Sequence, residues 1–168
     1  MQKIKLVIAS PGDVKRERDL IRSTILDTVN IWARILKIEF EVIIWENSTY
    51  PSVGDYSQGV INEQFGESIK VIIGLFWYRL GTPTPNFPSG TVEEIEAAVT
   101  KQKEGNDVNV KLYYKTKPVP KNKINDSQLE AVNEWKEHWS KRGVYYWSFK
   151  DTSSISRLII EHLGLYVE

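Results

Sequence analysis

The 168-residue sequence contains no cysteine. A disulfide framework, a thiol nucleophile and a cysteine-ligated zinc site are therefore excluded. It has only two histidines, His138 and His162, too few for a His-rich metal centre, and no metal site is expected. It has no excess of either charge, with 22 Lys and Arg against 22 Asp and Glu. A dedicated nucleic-acid binder normally carries a strong basic excess, so no direct nucleic-acid partner is expected. No run approaches the ~20 apolar residues of a membrane span. The apolar part of the opening MQKIKLVIAS is too short for a secretory signal. Together these absences point to a cytoplasmic protein with no membrane partner. No Walker A loop, G-x-G-x-x-G, G-x-S-x-G or H-E-x-x-H occurs. That disfavours a P-loop NTPase and a standard dinucleotide dehydrogenase.

What is present has the balance of an ordinary folded domain, 41% hydrophobic and 26% charged. The length suits a single domain over residues 1–168. Short β-rich runs alternate with helical patterns. Strands are expected at Lys3–Ala9, Ile38–Trp45, Ile69–Phe76, Val108–Tyr114 and Val144–Phe149. Helices are expected at about Val14–Leu36, Ser57–Gly66, Val92–Glu104, Asp126–Lys141 and Ser153–Leu163. In the first helix Ile21, Ile25, Thr28, Val29 and Trp32 recur at helical spacing and form the expected buried stripe. Asp13, after the breaker Ser10-Pro11-Gly12, is the expected N-cap. The loop Trp77–Gly90 holds three prolines and two glycines besides its flanks of regular structure, so it reads as neither helix nor ladder. The Lys-rich segment Lys111–Lys123 reads as a solvated loop.

Strands alternating with helices imply a parallel sheet with helices on both faces. Five short strands suggest a flavodoxin-like α/β sandwich with strand order 2-1-3-4-5. In such sheets ligands bind beyond the carboxyl ends of the strands, where the strand order switches. Here that rim is formed by Ser10–Asp13, Trp77–Gly90 and Trp45–Ser57, the loops of least ordinary composition.

Several residues on this rim have two readings. At Ser10 and Gly12 the backbone can approach an anion at a helix N-terminus, or the segment is simply a strand-to-helix turn. Trp77 can stack on a flat ring, or pack under its own loop. Arg79 can fork onto phosphate oxygens, or form a structural ion pair. Trp45 has the same ambiguity as Trp77, with core packing favoured. In Ser89-Gly90-Thr91-Val92-Glu93-Glu94-Ile95-Glu96, facing Ile95 and Val99 to the sheet turns Glu93 to solvent and sets Glu94 and Glu96 on opposite rims. Glu94 is the carboxylate best placed to enter a cleft. Alternatively, Thr91-x-x-Glu94 is a capping box in which Glu94 bonds back to the Thr91 N–H. The two histidines read as surface or helix-end residues.

The segments VIASPGDVKRERDLI, IIWE, VINEQFGE, VIIGLFWYRLGTPT and SGTVEEIEAAV, in this order, resemble a TIR-like family. That family is usually met as an N-terminal module of bacterial and animal signalling and defence proteins. The resemblance covers about Ile4 to Lys115; the C-terminal third fits by pattern only. It implies a flavodoxin-like fold shared with TIR domains and nucleoside deoxyribosyltransferases, whose enzymatic members carry a glutamate on the helix after strand three. The deoxyribosyltransferase pattern of Gly-Thr, two residues, then Glu falls on Gly90, Thr91 and Glu94.

On that resemblance the expected function is cleavage of NAD, as a glycohydrolase or cyclase, in bacterial antiviral defence. NAD would be a substrate, with no permanently bound cofactor. Glu94 would be catalytic, with Ser10, Gly12, Trp45, Trp77, Arg79 and Thr91 binding substrate. Loop Glu46–Ser57 occupies the position of the TIR loop that docks onto a neighbour, which implies activation by self-association. Partner or sensor domains of a larger defence protein are implied as well, so the 168 residues read as a possible fragment. Two alternatives stand beside this: a non-catalytic interaction module, and a nucleoside or nucleotide glycosyl-transfer enzyme.

Overall fold

The computed structural model of the protein describes residues 1–44 and 68–168. Trp45, the loop Glu46–Ser57 and the expected helix Ser57–Gly66 lie outside them. The strands are β1 (Gln2–Ala9), β2 (Ile38–Ile44), β3 (Ile69–Phe76), β4 (Asn109–Lys115) and β5 (Tyr146–Phe149). All pair in parallel, in the order β2-β1-β3-β4-β5. This is a flavodoxin-like α/β sheet. β1 and β3 are interior strands, and burial on both faces explains why β3 and the Leu6–Ala9 half of β1 are apolar runs.

Helices cover both faces. On one face lie α1 (Lys15–Thr24), α2 (Asn30–Ala33) and α5 (Thr152–Val167), packing Ile21, Val29, Ile155 and Ile159 against Leu6, Ile8, Ile73 and Leu75. On the other lie α3 (Gly90–Lys103) and α4 (Asp126–Lys141), packing Val92, Ile95, Val99 and Trp139 against Val7, Ile72 and Phe76. Among the described residues no helix is long and apolar enough to cross a membrane.

The first helical segment differs from the expected uniform helix. It opens with a 3-10 turn, Gly12–Val14, and a π-turn, Ile25–Val29, separates α1 from α2. Its buried apolar stripe after Val14 is Ile21, Ile25, Val29 and Ala33, spaced by four, while Thr28 is exposed and Trp32 half-buried. A spacing of four drifts around an α-helix of 3.6 residues per turn. The wider π-turn corrects that drift and keeps one stripe on the sheet. Asn30, fully buried in α2, clasps the edge strand by bonding both the N–H and the C=O of Phe40, at 2.8 and 3.0 Å. An edge strand otherwise leaves such groups open to pairing with another chain.

Gly74, in the middle of β3, shows how close α3 comes to the sheet. A Cβ there would lie 2.7 Å from both Ile95 Cδ1 and Leu112 Cδ2. Gly74→Ala is therefore expected to overpack this layer and destabilise the protein by about 1–3 kcal/mol, read as a lower Tm in thermal unfolding.

Candidate functional site

The turns at the carboxyl ends of β1 and β3 meet the start of α3. Gly81 adopts a positive φ of 111°, a conformation that favours glycine, and a Cβ there would lie 3.4 Å from Ser89 Cβ and 3.6 Å from Pro11 Cβ. Pro11, Gly81 and Ser89 thus form a seam across the rim.

On the α3 side of the seam the helix starts two residues earlier than expected. Ser89 has extended backbone (φ −163°, ψ 161°), and its Oγ accepts the Val92 N–H at 3.1 Å. Ser89 is therefore the N-cap, and Thr91 lies inside the first turn. The expected Thr91–Glu94 capping box is corrected by this geometry: a box requires its Thr at the non-helical cap position. Ser89→Ala is expected to cost about 0.5–2 kcal/mol, measurable by denaturant unfolding. Thr91 and Glu94 are both buried, at 2% and 1% exposure. Glu93, expected to face solvent, is half-buried. Glu96 turns to α4, accepting from Trp139 Nε1 at 2.7 Å and Arg142 at 2.9 and 3.1 Å. It locks α3 to α4 and is not at the rim.

On the α1 side of the seam lies a cleft of about 460 Å³, lined by Ser10, Gly12, Asp13, Arg79 and, from other segments, Lys15, Arg18 and Lys123. Neither Thr91 nor Glu94 lines it. The structure therefore gathers Ser10, Gly12 and Arg79 at this cleft. Asp13 does not cap α1 as expected. Its Oδ2 reaches across to accept the N–H groups of Tyr78 (3.0 Å) and Arg79 (3.2 Å), tying the β3–α3 loop to the β1–α1 turn. Burial pushes the Asp13 carboxyl above its usual range, and those two bonds oppose the rise.

Trp77 takes the packing position of its two readings. Its Nε1 donates to the Lys117 carbonyl at 2.7 Å, and the Lys115 ammonium sits 4.1 Å from its ring centroid. Lys115 in turn pairs with Glu17, and both side chains are buried. The Lys-rich segment is thus not the uniformly solvated loop expected: Lys111–Lys115 belongs to β4, the Lys115 side chain is only 11% exposed, and Lys123 lines the cleft. His162 bonds the Tyr113 hydroxyl at 2.7 Å and lies tilted against Trp147, and burial with the neighbouring Lys111 charge lowers its basicity. His138 packs on the edge of Trp135 and lies 3.5 Å from Glu96. Among the described residues no three acidic or histidine side chains gather into a metal-binding group.

Sequence reasoning missed Lys15, Arg18 and Lys123 as members of the cleft. Lys15 and Arg18 are one helical turn apart, directly after the Ser10–Asp13 turn, so a helical wheel places them together beside it. Lys123 is far in sequence, and no local signal brings it to the rim. No family model matches the chain, and no curated protein matches it.

Proposed function

We propose that the protein is a TIR-like domain that cleaves the nicotinamide–ribose bond of NAD, with Glu94 as the carboxylate that faces the developing positive charge. The observation that carries this reading is the assignment of the α3 cap to Ser89. Glu94 is then a buried acid one turn into the helix after β3, near the rim where open parallel sheets hold ligands.

The chemistry needs little more. The C–N bond breaks with its electron pair going to nicotinamide, which leaves as a neutral base from a pyridinium. No general acid is required. The ribose passes through an oxocarbenium-like state that a carboxylate stabilises electrostatically. Water then bonds to the ribose carbon and loses a proton; in a cyclase, a nucleophile within the ADP-ribose takes the place of water. The phosphate contacts implied for Ser10, Gly12 and Arg79 fall on residues that line the cleft beside the β1–α1 turn.

At 1% exposure Glu94 is closed to substrate in this state. The reading therefore makes the dispersed chain silent and places turnover after a rearrangement driven by self-association, in a defence protein whose other domains sense the trigger. The same burial favours the second reading, an interaction module in which Glu94 only packs.

Incubation with NAD, dispersed and then clustered on beads, separates these. Nicotinamide release that appears only on clustering supports the first reading. Association without release at any density supports the second. Exchange of bases between nucleosides, with NAD left intact, would instead identify a glycosyl-transfer enzyme.

A further inference from the structure

An aromatic cluster pins the C-terminal half of α5 to the outer edge of the sheet. Tyr113 on β4 and Trp147 on the edge strand β5 are cross-strand partners, and their rings stack with centroids 5.4 Å apart. The His162 ring, from α5, lies 4.2 Å from the Trp147 ring and 5.7 Å from that of Tyr113, centroid to centroid. Its Nδ1 is 2.7 Å from the Tyr113 hydroxyl, and this is the hydroxyl's only hydrogen bond among the described residues.

The direction of that bond follows from burial. Tyr113 is fully buried, which pushes its phenol far above the usual range, so the hydroxyl keeps its hydrogen. A buried O–H without an acceptor is costly, and His162 Nδ1 is the acceptor at hand. Tyr113 therefore donates, and the neutral imidazole carries its own proton on Nε2.

The surroundings oppose a second proton on the ring. A proton at Nδ1 turns that nitrogen from acceptor to donor and leaves the Tyr113 hydrogen facing it. Lys111, two residues before Tyr113, lies on the same face of β4. Its ammonium is 5.7 Å from the Trp147 ring centroid and repels a charged imidazole. From β5, Trp147 brings no charge. From α1, the Thr24 hydroxyl meets the Ser156 hydroxyl of α5 at 2.6 Å, again without charge. Glu161, exposed beside His162 on α5, favours the charged ring, yet burial and Lys111 outweigh it. One turn further along α5, Tyr166 has Asp107 as its charged neighbour.

We propose that the Tyr113–His162 bond is an acid-sensitive latch: neutral His162 holds the C-terminal half of α5 on β4 and β5, and a proton on Nδ1 releases it. The folded state favours the neutral ring, so the latch's stabilisation is full above the ordinary histidine value of about 6.5 and is lost as pH falls from there toward the lower folded value. Across that window the released population rises by up to about tenfold per pH unit. This inference does not rest on NAD cleavage and is read without it.

The test follows the full chain from about pH 7.5 to about pH 5, with ring-nitrogen NMR of His162 and amide-exchange protection factors of residues 161–167. An Nε2–H tautomer is expected at the upper end, with a titration midpoint below about 6.5. Tyr113→Phe removes the hydroxyl and should raise that midpoint. His162→Asn offers an amide oxygen to the Tyr113 hydrogen and does not titrate in this range. Protection of residues 161–167 should fall with acid in the wild type and stay level in His162→Asn. Equal loss of protection in the two, a His162 midpoint at or above about 6.5, an Nδ1–H tautomer, or a midpoint unmoved by Tyr113→Phe would overturn the proposal.

Discussion

Lys115→Met is expected to destabilise the protein by about 3–5 kcal/mol. Lys115 ends β4, and its ammonium is held between the Glu17 carboxylate in the first turn of α1 and the face of Trp77 after β3. Side-chain exposure is 11% for the lysine and 4% for the glutamate, so water screens the pair little. Removing the ammonium leaves a carboxylate buried with its charge uncompensated, which costs far more than the net worth of the intact pair. It also removes a cation from the Trp77 ring. For a domain of this size the loss converts to a fall in Tm of roughly 2–4 °C per kcal/mol. The double variant Glu17→Gln with Lys115→Met removes both charges and is expected to recover most of the stability. A double-mutant cycle by denaturant unfolding reads the coupling directly. A single variant as stable as wild type would show that the pair is hydrated in solution.

The sheet could be read from the sequence because its physics is local. β3, Ile69–Phe76, is apolar throughout because both its faces are covered, and its observed bounds are those expected. Helix α4 also begins and ends where expected, with Asn125 accepting the Gln128 N–H as its cap. The errors came where two local signals competed, or where tertiary contact decided. Ser89 and Thr91 are both good cap residues two positions apart, and the Thr-x-x-Glu pattern favoured the wrong one. Asp13 has the composition of an N-cap but meets the Tyr78 and Arg79 amides 65 and 66 positions away, and no window along the chain reveals that. The same holds for Lys115 with Glu17, and for Lys123 in the cleft. Arg79, Ser10 and Gly12 were brought to one place by topology alone, since they lie on loops at the same end of adjacent central strands.

Under the proposed function, Glu94→Gln is the substitution expected to have the greatest effect on activity. The side chains are nearly isosteric, so a buried packing role is largely preserved while the negative charge is lost. The charge is what the proposed chemistry uses, because an oxocarbenium-like state forms beside it with no proton transfer to share the work. Loss of one preorganised electrostatic partner in a closed site typically lowers the rate by about 10²–10³-fold. A packing role predicts a different signature: no NAD cleavage by either protein. The Ser89 cap is untouched by the exchange, so any change in rate is not a consequence of unwinding α3.

The decisive measurement is nicotinamide release from NAD by bead-clustered wild type and Glu94→Gln at matched density, with the Tm of each recorded alongside. The proposed function predicts release by the wild type, a loss of about 10²–10³-fold in the variant, and a Tm within a few degrees of wild type. Equal release by the two proteins, or none by the clustered wild type, would contradict it.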